Sequence, residues 1–161
     1  MNTTRDHLLV ICTGNTCRSP MAAKLLEHSF SAESSSLNKL TIKSAGISAL
    51  LGSPASGNSI AVLKKVNIDL SQHQSQPLTQ NLIDRAFAIL GMTSSHLEAL
   101  SFNGFTNLPE HVYLFREFIE SGKQSQIPDP FGQDFDAYQD CFNSMIEAIP
   151  SLTAFFKKVC K

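Results

Sequence analysis

The chain has 161 residues, 42% of them hydrophobic and 17% charged, with a formal net charge of -1. That length and apolar share fit one globular domain over residues 1–161, and the near-neutral balance excludes a general electrostatic attraction to nucleic acid or to an anionic membrane. The polar start MNTTRDHLLVI is a poor signal peptide, no apolar run reaches the length of a membrane span, and four unevenly placed cysteines build no secreted disulfide framework, so the expected setting is soluble and cytoplasmic.

The first candidate strand is HLLVI at 7–11, followed by a helical pattern in MAAKLLEHSF. KLTIKSAG at 39–46 reads as a second strand, NSIAVLKKV as a helix, RAFAIL at 85–90 as a third strand, SSHLEAL as a helix and HVYLF at 111–115 as a fourth strand. SAESSS at 31–36 and LGSPASGN at 51–58 are Ser, Gly and Pro rich and read as loops. A long helical segment begins at Gln133, with Phe135, Tyr138, Phe142, Met145, Ile149, Leu152, Phe156 and Val159 on one face. Pro150 lacks an amide donor and crowds the preceding turn, which predicts a kink or a split there. The alternation predicts an α/β fold with a parallel sheet and helices on both faces. Ligands of such folds bind at the carboxyl edge of the sheet.

The stretch CTGNTCRSP at 12–20 lies at that edge. Ser19 and Pro20 predict the helix start, since serine caps free amides and proline is tolerated in the first turn. A helix amino terminus carries partial positive charge and unpaired N–H groups. Gly14 and Asn15 readily take left-handed backbone conformations, so the loop of Thr13, Gly14, Asn15, Thr16 and Cys17 can gather its amides into a nest for a dianion. Arg18 adds a planar fork of donors that holds two phosphate oxygens at once. Cys12, at the floor of this cradle, is surrounded by features that favour a thiolate, which makes it the candidate nucleophile beneath a bound phosphoryl group. The nucleotide-binding pattern G-x-x-x-x-G-K-[ST] is missing. The Cys12 and Cys17 pair has no second pair or nearby histidine to complete a zinc site, so neither metal nor other cofactor is expected.

These residues resemble a known family: VICTGNTCRSP is similar to the signature of the low-molecular-weight protein tyrosine phosphatases, and KSAG at 43–46, LGMTSSH at 90–96 and DPFGQDFDAYQ at 129–139 follow in the expected order. The resemblance implies a four-stranded parallel sheet flanked by helices, Cys12 as nucleophile, Arg18 as phosphate ligand and Asp129 as general acid. Independently of it, the two prolines of IPDPFG stiffen the loop that presents Asp129, and a carboxylic acid there can protonate the leaving atom and afterwards activate water. The resemblance also implies a hydrogen-bond network of Asn15, Ser19, Ser44 and His73. His7, His28, His96 and His111 read as surface or strand-end residues. The implied partner is a phosphorylated protein, acted on by a monomer or weak dimer.

Thr16 departs from the bulky aliphatic residue typical of the tyrosine-specific branch and resembles the bacterial protein-arginine phosphatases. A smaller side chain with a hydroxyl suits a guanidinium-like leaving group better than an aromatic ring. Phe131 is expected to form one pocket wall, and SALLG at 48–52 the opposite rim, with leucines in place of an aromatic. The expected activity is therefore hydrolysis of phosphoarginine, with phosphotyrosine or aryl phosphate hydrolysis alongside. The alternatives are a strict tyrosine phosphatase, an arsenate reductase, which needs resolving cysteines absent between Cys17 and Cys141, and a non-catalytic phosphate or redox sensor. Cys17 is also expected to form a protective disulfide with Cys12 under peroxide.

Overall fold

A computed structural model describes residues 4–34 and 36–160. Four parallel strands form one sheet in the order β2-β1-β3-β4: β1 His7–Cys12, β2 Thr41–Gly46, β3 Ala86–Gly91 and β4 His111–Leu114. The expected α/β architecture is therefore observed. All six residues of β1 are buried, which is why its sequence is a continuous apolar run and not an alternating one. Its side chains divide between two cores. Leu8, Val10 and Cys12 pack with α1 (Arg18–Ser31), α2 (Gly57–Lys64) and α5 (Phe135–Val159). Leu9 and Ile11 pack on the other face with Ile83 of α3 (Gln80–Asp84) and Leu100 of α4 (Ser94–Phe102).

The strand order reverses between β1 and β3, so the end of β1 opens into the crevice where doubly wound sheets bind ligands. Gly46, at the end of β2 beside Cys12, permits that geometry. A Cβ there would lie 2.5 Å from the Thr13 carbonyl oxygen and 3.0 Å from the Asn15 amide nitrogen.

Two local expectations are corrected. The first helix begins at Arg18 after Cys17, so Ser19 is its second residue and caps nothing by itself. Pro20 still falls among the first amides, which have no intrahelical partner to lose. Pro150 does not split the final helix, which runs unbroken from Phe135 to Val159. Met145, Ala148, Leu152 and Phe156 bury both halves in one core. Beside the proline, the Ser151 and Thr153 hydroxyls donate to the carbonyls of Ala148 and Ile149 at 2.9 and 2.8 Å. Helix α3 had no counterpart in the sequence pattern. Among the described residues no helix is long and apolar enough to cross a membrane.

Candidate active site

The loop between β1 and α1 is held from outside by its carbonyls. Those of Cys12, Thr13 and Thr16 accept from the amides of Ile47, Ser48 and Ser56, each at 2.9 Å. The Asn15 carbonyl accepts from His73 Nε2 at 2.7 Å, and that of Cys17 from the buried Ser59 hydroxyl at 3.3 Å. In a trans peptide the next residue's N–H points opposite to the carbonyl. Fixing these carbonyls outward therefore turns the amides of Gly14, Thr16, Cys17 and Arg18 toward the inside of the loop, a nest able to surround an anion. Asn15 supplies the left-handed residue the turn needs, with φ of 56°.

The Asn15 side chain organises the floor. Its Nδ2 donates to Ser19 Oγ at 2.8 Å and to Ser44 Oγ at 3.0 Å, and its Oδ1 accepts from the Gln76 amide at 3.0 Å. Because Ser19 Oγ accepts from Asn15, its own proton is free for Cys12 Sγ, 2.9 Å away. The Asn15 amide also donates to that sulfur at 3.3 Å. Asn15, Ser19, Ser44 and His73 are thus joined behind Cys12. Burial lowers the His73 pKa, while its bond to the Asn15 carbonyl opposes the shift.

Arg18 is buried, donating through Nη1 to the Ile127 carbonyl at 2.9 Å and through Nη2 to Thr13 Oγ1 at 3.5 Å. Its Nη2 lies 3.8 Å from Asp129 Oδ2, on a half-exposed carboxylate. A guanidinium has five donors, so these contacts leave others for a ligand. The segment carrying Asp129 is pinned although its side chain is not enclosed. The Ile127 amide donates to Met92 O at 2.9 Å, the Cys141 thiol to Pro128 O at 3.3 Å, and the Phe131 amide to Asp129 Oδ1 at 3.1 Å. Burial raises the Cys141 pKa to about 11, consistent with its expected core position.

Cys12, Thr13, Gly14, Thr16, Cys17 and Arg18 line a cavity of about 200 Å³ together with Asp129 and Phe131. Phe131 is 73% exposed and forms part of the mouth. The leucines expected at the opposite rim do not line it. Leu50 and Leu51 are exposed, and their loop is tied to a neighbouring segment, with the Ser75 hydroxyl donating to Leu50 O at 2.6 Å and the Gly52 amide to Ser75 O at 2.8 Å. Cys12 and Cys17 are both free thiols in the structure. Cys17 Sγ lies 3.4 Å from the Tyr138 hydroxyl, whose pKa burial and this contact raise to about 12.

The sequence reading misplaced His96. It is buried, not a surface residue, and its Nε2 is 3.0 Å from Thr13 Oγ1. Burial and the nearby Arg18 charge push its pKa down to about 4. The available signal was spacing: Thr93 and His96 stand where a capping box places its partners, and the Thr93 amide donates to His96 Nδ1 at 3.2 Å. Ser56, Ser59 and Gln76 were also missed. Their roles depend on segments far away in sequence, among them the start of α2, packing against the site, which no local pattern encodes.

Three comparisons bear on this geometry. Residues 7–161 match the sequence model of the family described as low molecular weight phosphotyrosine protein phosphatase. A protein-arginine-phosphatase of Geobacillus stearothermophilus is 39% identical over 132 residues, covering 82% of this chain and 83% of that one. The low molecular weight protein-tyrosine-phosphatase Etp of Escherichia coli (strain K12) is 30% identical over 146 residues, 89% of each chain. Among solved structures, the YwlE arginine phosphatase, as a cysteine-to-serine mutant with a phosphorylated active-site serine, superposes with a TM-score of 0.84 at 30% identity, covering 94% of this chain and 96% of that one. The chain belongs to the low molecular weight phosphotyrosine protein phosphatase family.

Proposed function

We propose that this cysteine-based phosphatase hydrolyses phosphorylated protein side chains through a cysteinyl-phosphate on Cys12, favouring phosphoarginine while also cleaving aryl phosphates. The observation that carries the reading is the convergence of Cys12 Sγ, the inward amides, Arg18 and Asp129 on one cavity. The Cys12 sulfur attacks phosphorus, and the bond to the leaving nitrogen or oxygen breaks as Asp129 passes it a proton. The Asp129 carboxylate then takes a proton from water as the water oxygen attacks phosphorus. The S–P bond breaks, releasing inorganic phosphate and the sulfur anion. The loop amides and Arg18 carry the charge on the phosphoryl oxygens through both transition states. The relative whose mutant bears a phosphorylated serine supports a covalent step. Cys12→Ser is expected to lower turnover of an aryl phosphate by about 10³-fold or more while leaving the fold intact; retention of most of the rate contradicts the assignment.

Thr16 supports the substrate preference, since its half-buried side chain lines the cavity where a tyrosine ring would need apolar surface. The arginine phosphatase relatives point the same way. Thr16→Ile is expected to shift the ratio of phosphoarginine to phosphotyrosine kcat/KM by about 10-fold or more toward phosphotyrosine, measured on paired peptides. An unchanged ratio removes Thr16 as selector. The reading as a strict tyrosine phosphatase is favoured by Phe131, whose exposed ring could stack on a substrate ring, and wild-type protein inert toward phosphoarginine would establish it.

The reading extends to a redox safeguard. Peroxide would oxidise the Cys12 and Cys17 thiols to a disulfide, itself reduced to two waters. Mass spectrometry after mild peroxide is expected to find that crosslink; sulfinic acid on Cys12 in its place contradicts the safeguard.

A further inference from the structure

We propose that His96 is a positioning residue of the phosphoryl-binding loop, acting through the Thr13 hydroxyl to hold Arg18 in line with the substrate's phosphoryl oxygens. A backbone N–H can only donate, so the bond from the Thr93 amide to His96 Nδ1, at 3.2 Å, places the proton of the neutral ring on Nε2. That N–H donates to Thr13 Oγ1 at 3.0 Å. The same oxygen receives Arg18 Nη2 at 3.5 Å. With both lone pairs of Thr13 Oγ1 facing donors, its own proton is left for an acceptor in the cavity that Thr13 lines beside Cys12, Arg18 and Asp129.

The pair does three things to the site. It converts a hydroxyl able to point either way into a donor of fixed polarity, and it gives Arg18 a lateral support opposite to its Ile127 contact. It also ties the loop after β1 to the start of α4. His96 is buried, so water does not compete for its ring nitrogens. A neutral imidazole supplies this support without adding a positive charge beside Arg18, which a lysine or a protonated ring would do. Helix capping requires only Nδ1, and the Nε2 contact to Thr13 is the part that serves the site.

The inference rests on the proposed phosphatase reading, and orthovanadate binding separates the two. The set is wild type, His96→Ala, Thr13→Val, Thr13→Ser and the His96→Ala/Thr13→Val double variant. Each is measured for kcat and KM on an aryl phosphate and on a phosphoarginine peptide, and for vanadate affinity by calorimetry. Each single loss of the contact is expected to cost about 10-fold or more in kcat, through misalignment of the phosphoryl ligands, and to weaken vanadate binding. Thr13→Ser, which keeps the oxygen, should recover most of the Thr13→Val loss. The double variant should fall no further than about twofold below the worse single, because both remove one interaction. Losses that multiply, a Thr13→Val rate within twofold of wild type, or unchanged vanadate affinities overturn the proposal. If His96→Ala does not fold, the comparison of Thr13→Val with Thr13→Ser decides it alone. If wild type binds vanadate but hydrolyses neither substrate, the functional reading fails, and the vanadate affinities of the variants still decide the positioning claim.

Discussion

The two halves of the site are built in opposite ways. The loop at the end of β1 is enclosed at its floor: Cys12, Asn15, Cys17, Arg18 and Ser19 are buried, while Thr13 is exposed at its edge, and the hydrogen-bonding groups of Asn15 and Ser19 are matched inside the protein. The Asp129 segment has an anchored backbone and an exposed working end, with the Asp129 side chain half in solvent and Phe131 at 73% exposure. A rigid cradle suits a phosphoryl group of constant shape. An exposed arm suits a leaving group that differs between substrates and must exchange protons with water.

This contrast predicts that changes in the arm affect turnover and spare stability, whereas changes in the cradle affect both. The largest expected effect after the nucleophile is at Asp129. Asp129→Asn removes the transferable proton and should lower kcat by about 10²–10⁴-fold with little change in the denaturant midpoint; steady-state kinetics beside urea melts test it. Asn15→Gly comes next. Glycine tolerates the positive φ of residue 15, so the loss isolates the side chain, whose absence leaves Ser19, Ser44 and the Gln76 amide short of a partner. About 2 kcal/mol of stability should disappear, together with about 10-fold in kcat, and a variant that keeps full stability would break the contrast.

The last prediction concerns acid. The pKa of His96 is about 4 in the folded chain against an ordinary 6.5, so below pH 6.5 the unfolded chain binds that proton first. The contribution of a neutral His96 is fully present above about 6.5 and is lost as pH falls toward 4. The fall in unfolding free energy over that window should be shallower in His96→Ala than in wild type, measured by denaturant titration at several pH values. Parallel profiles in the two proteins would place the acid sensitivity elsewhere.

The sheet and the cradle were legible because local patterns encode them. A short apolar run rich in β-branched residues and followed by a Gly-Asn turn fits a strand buried on both faces, and a cysteine, a Gly-Asn turn and an arginine before a helix suggest anion binding from residue types alone. Ser19 was expected both as a helix cap and as a partner of Asn15; it caps nothing, and its hydroxyl joins Asn15 to Cys12. His96 was lost because a lone histidine in a polar stretch looks exposed until the fold brings β3 against β1. The split allowed for at Pro150 does not occur, because burial of one continuous apolar face outweighs a single missing helix bond. Leu50 and Leu51, expected at the rim, are exposed and do not line the cavity.

The central claim is that phosphate passes through a bond to Cys12. Asp129→Asn should slow release of the phosphoryl group from sulfur as well as its capture, since one carboxyl group serves both steps. Rapid quenching of that variant with an aryl phosphate, followed by peptide mass spectrometry under conditions that preserve thiophosphate esters, tests this directly. The account predicts a phosphorylated peptide containing Cys12 that decays as inorganic phosphate appears. Turnover with no phosphorylated Cys12 at any time, or a phosphoryl group on another residue that decays at the turnover rate, would contradict it.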